Sequence, residues 1–329
     1  MNHSIVARVV TALGLFIASV LILTSKPALA AYPDRTIHIV VPYPAGGSTD
    51  VAARILGENL SKQLGVAVVI DNRPGASGFL GSGFVARSAG DGYTLLFAGS
   101  GIASAPSIKE ANFDLRKDLT PISKIVSSQF SILVNPKLPV NNLKEFLTYV
   151  KAQPGKFFMA CSGAMTAAHF ALEHFRQAAG LDFTVVQYTG NAPAQTAMLS
   201  GEPPAGIDAA FSAKESVKAG LLRALAVTGA KRSALLPDVP TVAEAGVPGY
   251  EDGFSLVMLA PSATPKPIVE TISKAVMAAV RDKTVMDKLD AQGYEPVGNT
   301  PEEYGAQLSA EIDQNAKVIE SLRAAGVIK

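Results

Sequence analysis

Short apolar runs rich in Val, Ile and Leu recur along the chain, each followed by a turn containing Gly or Pro and then by a longer stretch suited to a helix. The clearest unit spans Val40 to Asp50. Ile37, Ile39, Val40 and Val41 predict a strand buried in an α/β sheet, and Pro42, Pro44, Gly46 and Gly47 end it. Ser48, Thr49 and Asp50 are then expected to cap a helix running on from Val51 to Leu64. Val66 to Asp71 and Tyr93 to Ala98 read as further strands, with a small-residue helix around Phe79 to Arg87 between them. The strand Tyr93 to Ala98 runs into Gly99-Ser100-Gly101, a second glycine-serine loop expected on the same sheet edge as the first.

A fresh series begins at Ser131 to Asn135, an apolar strand, followed by a helix from about Asn141 to Lys151. Phe157 to Cys161, Phe183 to Tyr188, Ile207 to Phe211 and Arg223 to Val227 predict strands. Thr166 to Ala179 and Ala192 to Leu199 predict helices closed by Gly180 and Gly201. A proline-rich stretch from Pro237 to Pro248 interrupts the pattern before another strand, Ser255 to Leu259. Two long helices finish the chain: one from Thr264-Pro265 to Gly293, and one opened by Thr300, Pro301 and Glu303, a capping box. The alternation predicts parallel α/β layers in two lobes. The first lobe is expected to hold residues 31–130 and 255–329, the second 131–254, with the chain crossing near Ser131 to Asn135 and again near Ser255 to Leu259. Such an arrangement suits a protein that closes about a hinge.

Residues 1–30 are set apart as a leader. Arg8 supplies a basic start, Val9 to Leu23 is apolar, and Ala28-Leu29-Ala30 fits a cleavage site ahead of Ala31. An uncleaved anchor is the other reading, but the apolar core falls short of the roughly 20 residues that span a bilayer. No cysteine near the cut offers a lipid attachment, so a freely soluble protein held in a periplasm is expected. Loss of Arg8 and Lys26 with the leader turns the formal charge of +1 into −1, which excludes a nucleic-acid footprint. The lone Cys161 excludes an internal disulfide.

The turn from Pro42 to Gly47 invites a carboxylate, because glycine lets a ligand reach the backbone and the first N–H groups of a helix lack internal partners. It is equally compatible with a bare strand-to-helix connection. No Gly-Lys-Ser/Thr follows it and the spacing is not Gly-x-Gly-x-x-Gly, so nucleotide phosphates are disfavoured. Enzyme chemistry finds little support: no Gly-x-Ser-x-Gly or Ser-x-x-Lys occurs, and Cys161 has no evident base. His169 and His174 are spaced so that they share no helix face; His169 reads as a capping or packing residue, and the acids read as solvated helix faces. Neither a metal nor a cofactor is expected.

Tyr32-Pro33, VVPYPAGGSTDVAARIL from Val40, DNRPGASG from Asp71 and DGYTLLFAGSG from Asp91 stand in an order that resembles a known family. Leu133-Val134-Asn135-Pro136, Tyr188-Thr189-Gly190 with Ala192-Pro193-Ala194, and LRALAVTGAKRSALLPDVPTVAEAG from Leu222 extend the match over about 300 residues. The chain is identified by them as a member of the solute-binding proteins of the tripartite tricarboxylate transporter family, the Bug-type receptors. The resemblance implies a two-lobed type 2 periplasmic-binding-protein fold that holds a small carboxylate between two loops and serves a membrane permease as a monomer. It places Tyr43, Ala45, Gly46, Gly47, Ser48 and Thr49 against the ligand from the first lobe, with Ala98, Gly99 and Ser100 beside them. The facing loop would be Cys161 to Thr166, with Ser162, Met165 and Thr166 in contact, joined by Tyr188, Asn191, Phe211 and Ser212. A receptor that presents its ligand to a membrane sensor kinase would look the same.

The second lobe departs from the family's pattern. Cys161, Ala164 and Met165 stand where a more polar, glycine-rich loop is usual, and Ser212 rather than an Asp follows Phe211. Read as pocket positions, these imply an aromatic or aliphatic mono- or dicarboxylate. Read as packing positions, they imply nothing about the ligand.

Overall fold

The computed structural model describes residues 32–108, 111–324 and 326, so the expected leader, residues 1–30, and its cleavage site lie outside the described residues. In chain order the strands are β1 Ile37–Val41, β2 Val68–Asn72, β3 Thr94–Gly99, β4 Leu119–Ser128, β5 Phe130–Val134, β6 Phe157–Cys161, β7 Phe183–Gln187, β8 Ala205–Ala209, β9 Arg223–Val227, β10 Phe254–Pro261 and β11 Glu295–Pro296. The helices are α1 Ser48–Leu64, α2 Phe79–Ala86, α3 Leu115–Asp118, α4 Leu143–Lys151, α5 Ala167–Ala179, α6 Asn191–Ser200, α7 Ala210–Lys218, α8 Lys266–Arg281, α9 Lys283–Ala291 and α10 Pro301–Ala324.

Two sheets organise two α/β lobes, one in the order β11-β4-β10-β3-β1-β2 and the other β7-β6-β8-β5-β9. The layers are mixed rather than all parallel. β1 lies parallel to β2 and β3, but β10 runs antiparallel to β3 and β4; β6 lies parallel to β7 and β8, but β5 runs antiparallel to β8 and β9. β11 also runs antiparallel to β4; the other two reversed strands, β5 and β10, are the ones that receive the chain as it crosses between lobes, and they enter each sheet from the end at which the parallel strands leave it.

The crossings therefore lie beside, and not within, the strands expected to make them. β4 ends at Ser128 in the first sheet and β5 starts at Phe130 in the second, so Gln129 is the link; the return runs from Thr228 to Gly253. β4 escaped the sequence pattern because LTPISKIVSS interleaves Ser, Thr, Lys and Pro among its apolar residues, and its pairing with β10 carries two register shifts, one beside Pro121. A second difference is at Phe211 and Ser212. The strand ends at Ala209, and both residues sit in the first turn of α7, a helix rich in Ala, Lys and Glu. The helix expected to reach Gly293 is two helices, split where Asp282 turns extended and its carboxylate accepts from the N–H groups of Thr284 and Val285. The capping box at Thr300 forms in full: Glu303 N–H donates to Thr300 Oγ1 and Thr300 N–H to Glu303 Oε2.

Alternation along each strand sends side chains to two cores. Ile37, Ile39 and Val41 pack with Leu56 and Leu60 of α1 and with Ile272 and Val276 of α8, whereas Val40, Leu96 and Ala98 face Tyr304, Leu308 and Ile312 of α10. In the second lobe Ile132 and Val134 meet α4 and α5, and Leu133 and Ala160 meet Ala194 and Met198 of α6 and Ala213 of α7. α10 also reaches the other lobe, where Val318, Ile319 and Leu322 bury Phe170 of α5. Phe211 at the start of α7 also meets the first lobe, at Gly293 and Tyr294.

Candidate functional site

The loop between β1 and α1 is held from beneath by a carboxylate. Asp50, 3% exposed, accepts at Oδ2 from the Gly46 N–H (2.8 Å) and from Arg54 Nε (3.0 Å). Its Oδ1 accepts from Asn72 Nδ2 (3.0 Å), an amide that also donates to the Tyr43 carbonyl. Burial alone would raise its pKa, but the hydrogen bonds from Arg54, Gly46 and Asn72 outweigh burial and hold Asp50 below the usual carboxylate range. The capping expected of Ser48, Thr49 and Asp50 is not what forms. Gly47 is the N-cap without any side-chain cap bond, so the first turn of α1 keeps its N–H groups free to face a ligand. Pro44 to Ser48 are exposed, while Thr49 is buried.

An aromatic wall stands beside this helix end. The Tyr43 hydroxyl is approached by the backbone of Gly99, whose missing side chain leaves room for it and for the Phe254 ring. Tyr294 reaches the Ser48 side chain, and its ring lies 6.5 Å from both Phe254 and Phe211. Burial raises the phenol pKa of Tyr43 and of Tyr294, so both remain neutral hydrogen-bonding groups at physiological pH. Phe211 belongs to the second lobe and Tyr294 to the first, so the wall is shared.

The facing loop after β6 is fixed by a histidine. Met165 has φ +57°, and its N–H donates to Nδ1 of His169, which is 1% exposed. Nε2 of the same ring meets Gln187 at 3.3 Å, and burial lowers the imidazole pKa, which keeps it neutral and able to accept. Thr166 caps α5: its hydroxyl accepts from His169 N–H and donates to Gly163 O. Ser162 and Met165 are half-buried, as is Tyr188, whose N–H bonds Cys161 O. Asn191 opens α6 and is exposed, its amide donating to Asp208 Oδ1 at 2.9 Å.

Tyr43, Gly47, Ser48 and Gly99 thus share one wall with Phe211, and Asn191 heads a second-lobe helix. Ala98 lies inside β3 at 0% exposure in the first lobe's core. Ser100 turns the other way: its hydroxyl accepts from Ser255 N–H and lines a cavity of about 440 Å³. That cavity is lined by Lys124, Gln129, His174, Asp252 and Glu311, and by none of Tyr43 to Thr49, Asn191 or Phe211. It lies on the α5–α10 side of the crossings, away from the free end of α1. Gly101, on the lining of that cavity, comes against the second-lobe loop at Met165 and Ala167, a Cβ there falling 3.7 Å from Met165 O.

Sequence reasoning missed Phe254, Tyr294, Asn72 and Asp208. Tyr294 follows Gly293, read only as a helix stop; its place on the wall depends on α9 returning to the first sheet. Asp208 contradicts the expectation that acids occupy solvated helix faces, since it is a strand residue 4% exposed.

Cys161 is buried and its thiol donates to Gly163 O, with burial pushing its pKa up to about 11. Its reaction with Ellman's reagent at pH 7.5 is expected to run about 100-fold or more below that of the same thiol in urea, the shortfall following the lost thiolate. Equal rates would mean that the loop opens freely.

A family profile described as tripartite tricarboxylate transporter family receptor matches residues 52–323. Protein BugT of Bordetella pertussis (strain Tohama I / ATCC BAA-589 / NCTC 13251) is 35% identical over 319 residues, covering 95% of this chain and 96% of its own. Among solved structures, the periplasmic binding protein BugD is 34% identical with a TM-score of 0.71, covering 90% of this chain and 99% of that one. An R. palustris protein solved with adipate is also 34% identical, with a TM-score of 0.73 over 88% of this chain and 98% of that one.

Proposed function

This chain belongs to the tripartite tricarboxylate transporter family of receptors, and from that premise we propose that it captures a small carboxylate between its lobes and delivers it to a two-component membrane permease. Receptors of this family are periplasmic solute-binding proteins and not enzymes. The observation that carries the carboxylate reading is the uncapped start of α1, where Gly47 leaves the helix N–H groups unspent while Asp50 holds the loop rigid from behind. An acid group there gains roughly 0.3 to 1 kcal/mol from the helix dipole when exposed, and up to about 2 when closure partly buries it. Tyr43, Ala45, Gly46, Gly47, Ser48 and Thr49, with Gly99, form the first-lobe side of the proposed site; Ser162, Met165, Thr166, Tyr188, Asn191, Phe211 and Ser212 form the second.

The aromatic wall argues for a ligand with an apolar body. Phe211 and the half-buried Phe254 offer ring faces on which an aliphatic chain or an aromatic ring can lie, with the buried Tyr294 ring packed against both, and the adipate bound by the R. palustris relative has such a body. The lobes, 31–130 with 255–329 and 131–254, would pivot at Gln129 and within Thr228 to Gly253, and a ligand touching both would select the closed state.

The test is thermal unfolding of the mature protein with small carboxylates and their amide analogues. An acid at 100 times its dissociation constant adds about 2.7 kcal/mol. Shifts with acids alone support the site at the head of α1; equal shifts with amides, or none at all, overturn it.

A further inference from the structure

We propose that Asp208 positions Asn191, and that binding of an acid group at the head of α6 is coupled to uptake of one proton by Asp208. This rests on the carboxylate reading above. Asp208 lies under the α6 and α7 helices, and its Oδ1 accepts from both Asn191 Nδ2 (2.9 Å) and Ala209 N–H (2.8 Å). Its Oδ2 is buried and has no partner. Directly opposite in the β5–β8 register stands Ser131, whose Oγ is likewise buried and unpartnered. A desolvated acid with one idle oxygen thus backs an exposed amide.

With Asp208 ionised, Asn191 spends one of its two Nδ2 hydrogens inward, which turns the amide nitrogen toward Asp208 and leaves the carbonyl oxygen on the other side. An arriving carboxylate meets an acceptor there, with a second negative charge behind it. Protonation of Asp208 reverses the amide: the acid O–H donates to Asn191 Oδ1, and the Nδ2 hydrogens turn outward to donate to the ligand's carboxylate. The proton comes from solvent and no covalent bond between heavy atoms changes.

Both states are accessible near neutrality, because burial pushes Asp208 up to about 7 against the pull of the Ala209 N–H. The ionisable groups on the elements around it are Lys214, Glu215 and Lys218 on α7, Cys161 at the end of β6 and Tyr188 beside α6; α6, β5 and the rest of β8 carry none; α5, on the opposite face of β8, carries His169, Glu173, His174 and Arg176; and the first-lobe segment touching Phe211 carries Asp290 and Glu295.

The experiment has a ligand-free arm and a bound arm. The side-chain amide of Asn191 is followed by NMR from pH 5.5 to 8.5, and is expected to titrate with a midpoint near 7 in the wild type and to stay flat in Asp208→Asn. Calorimetry of adipate binding at pH 7.5 in phosphate and in Tris is expected to show uptake of between half and one proton. In Asp208→Asn, whose amide still donates to Asn191 Oδ1, adipate should bind with no uptake and a flat pH profile. A flat Asn191 signal in the wild type, or equal proton uptake in both proteins, overturns the proposal. Should adipate, malate and benzoate all fail to bind, the carboxylate reading falls with the coupling built on it, while the ligand-free titration still judges the Asp208–Asn191 contact.

Discussion

Alanine in place of Asp50 is expected to lower the stability of the protein by about 2 to 4 kcal/mol and to abolish carboxylate binding. The first figure follows from what the carboxylate leaves behind: a side chain only 3% exposed is removed, the half-buried Asn72 amide loses a charged acceptor, and the exposed Gly46 N–H loses the bond that ties its loop to α1. Arg54 contributes less, because its side chain is 53% exposed and water replaces its partner. The second expectation follows from geometry, since the loop at Gly46 and Gly47 has no side-chain cap to hold it once Asp50 is gone. The depressed pKa sets the pH dependence. A carboxyl held below its unfolded value adds stability above that value and loses it as pH falls through the folded pKa, so the gap between wild type and Asp50→Ala should be full at pH 7 and shrink below about pH 4. Urea unfolding at several pH values, with adipate binding measured at pH 7, checks both. A variant as stable as the wild type would mean that the loop is held by its prolines and glycines alone.

At Asp50 the local sequence pattern and the fold part company. Ser-Thr-Asp before an apolar run is a sound capping signal, yet the helix starts earlier, at Ser48, and the Asp falls in its first turn, where it reaches back to Gly46. β6 and β9 were legible to the residue, because β6 is an uninterrupted apolar run and β9 one opened only by Arg223, each beside a turn signal. β4 was not, since its polar residues are excused by partners distant in sequence: Ser123 donates to Asn299 O and Lys124 pairs with Glu311. The first-lobe loop could be named from its own residues, whereas the aromatic wall could not. Phe254, Tyr294 and Phe211 come from three distant segments that only the topology brings together. Asp208 was hidden for a related reason. Burial of an acid depends on what covers it, and the sequence from Ala210 to Lys218 predicts strand and loop where α7 forms.

Substitution of Gly293 by alanine is expected to leave the fold standing but to weaken ligand binding about tenfold or more. Gly293 has φ +77°, and a Cβ there would fall 2.1 Å from Cβ and 2.6 Å from Cγ of Phe211. The backbone conformation alone costs an alanine about 1 kcal/mol. The overlap is different in kind. Rotating the Phe211 side chain cannot relieve it, because Phe211 Cβ is fixed to the start of α7, so backbone must move. Within a close-packed core that movement would cost a further 1 to 3 kcal/mol or so. Here the colliding groups lie on different lobes, and a small rotation at Gln129 and the return crossing separates them, so the conformational cost of about 1 kcal/mol should dominate the stability change. The rotation instead opposes closure, and each 1.4 kcal/mol or so taken from the closed state costs tenfold in affinity. Adding Phe211→Ala cannot restore binding, since the Cβ atoms still collide, whereas Phe211→Gly removes the obstruction and should recover part of it, less what the lost ring contributed. Small-angle scattering with and without adipate, read beside the melting temperature, separates the two effects. A Gly293→Ala protein that closes and binds as the wild type does would show that the two lobes need no close approach at Phe211 to hold their ligand.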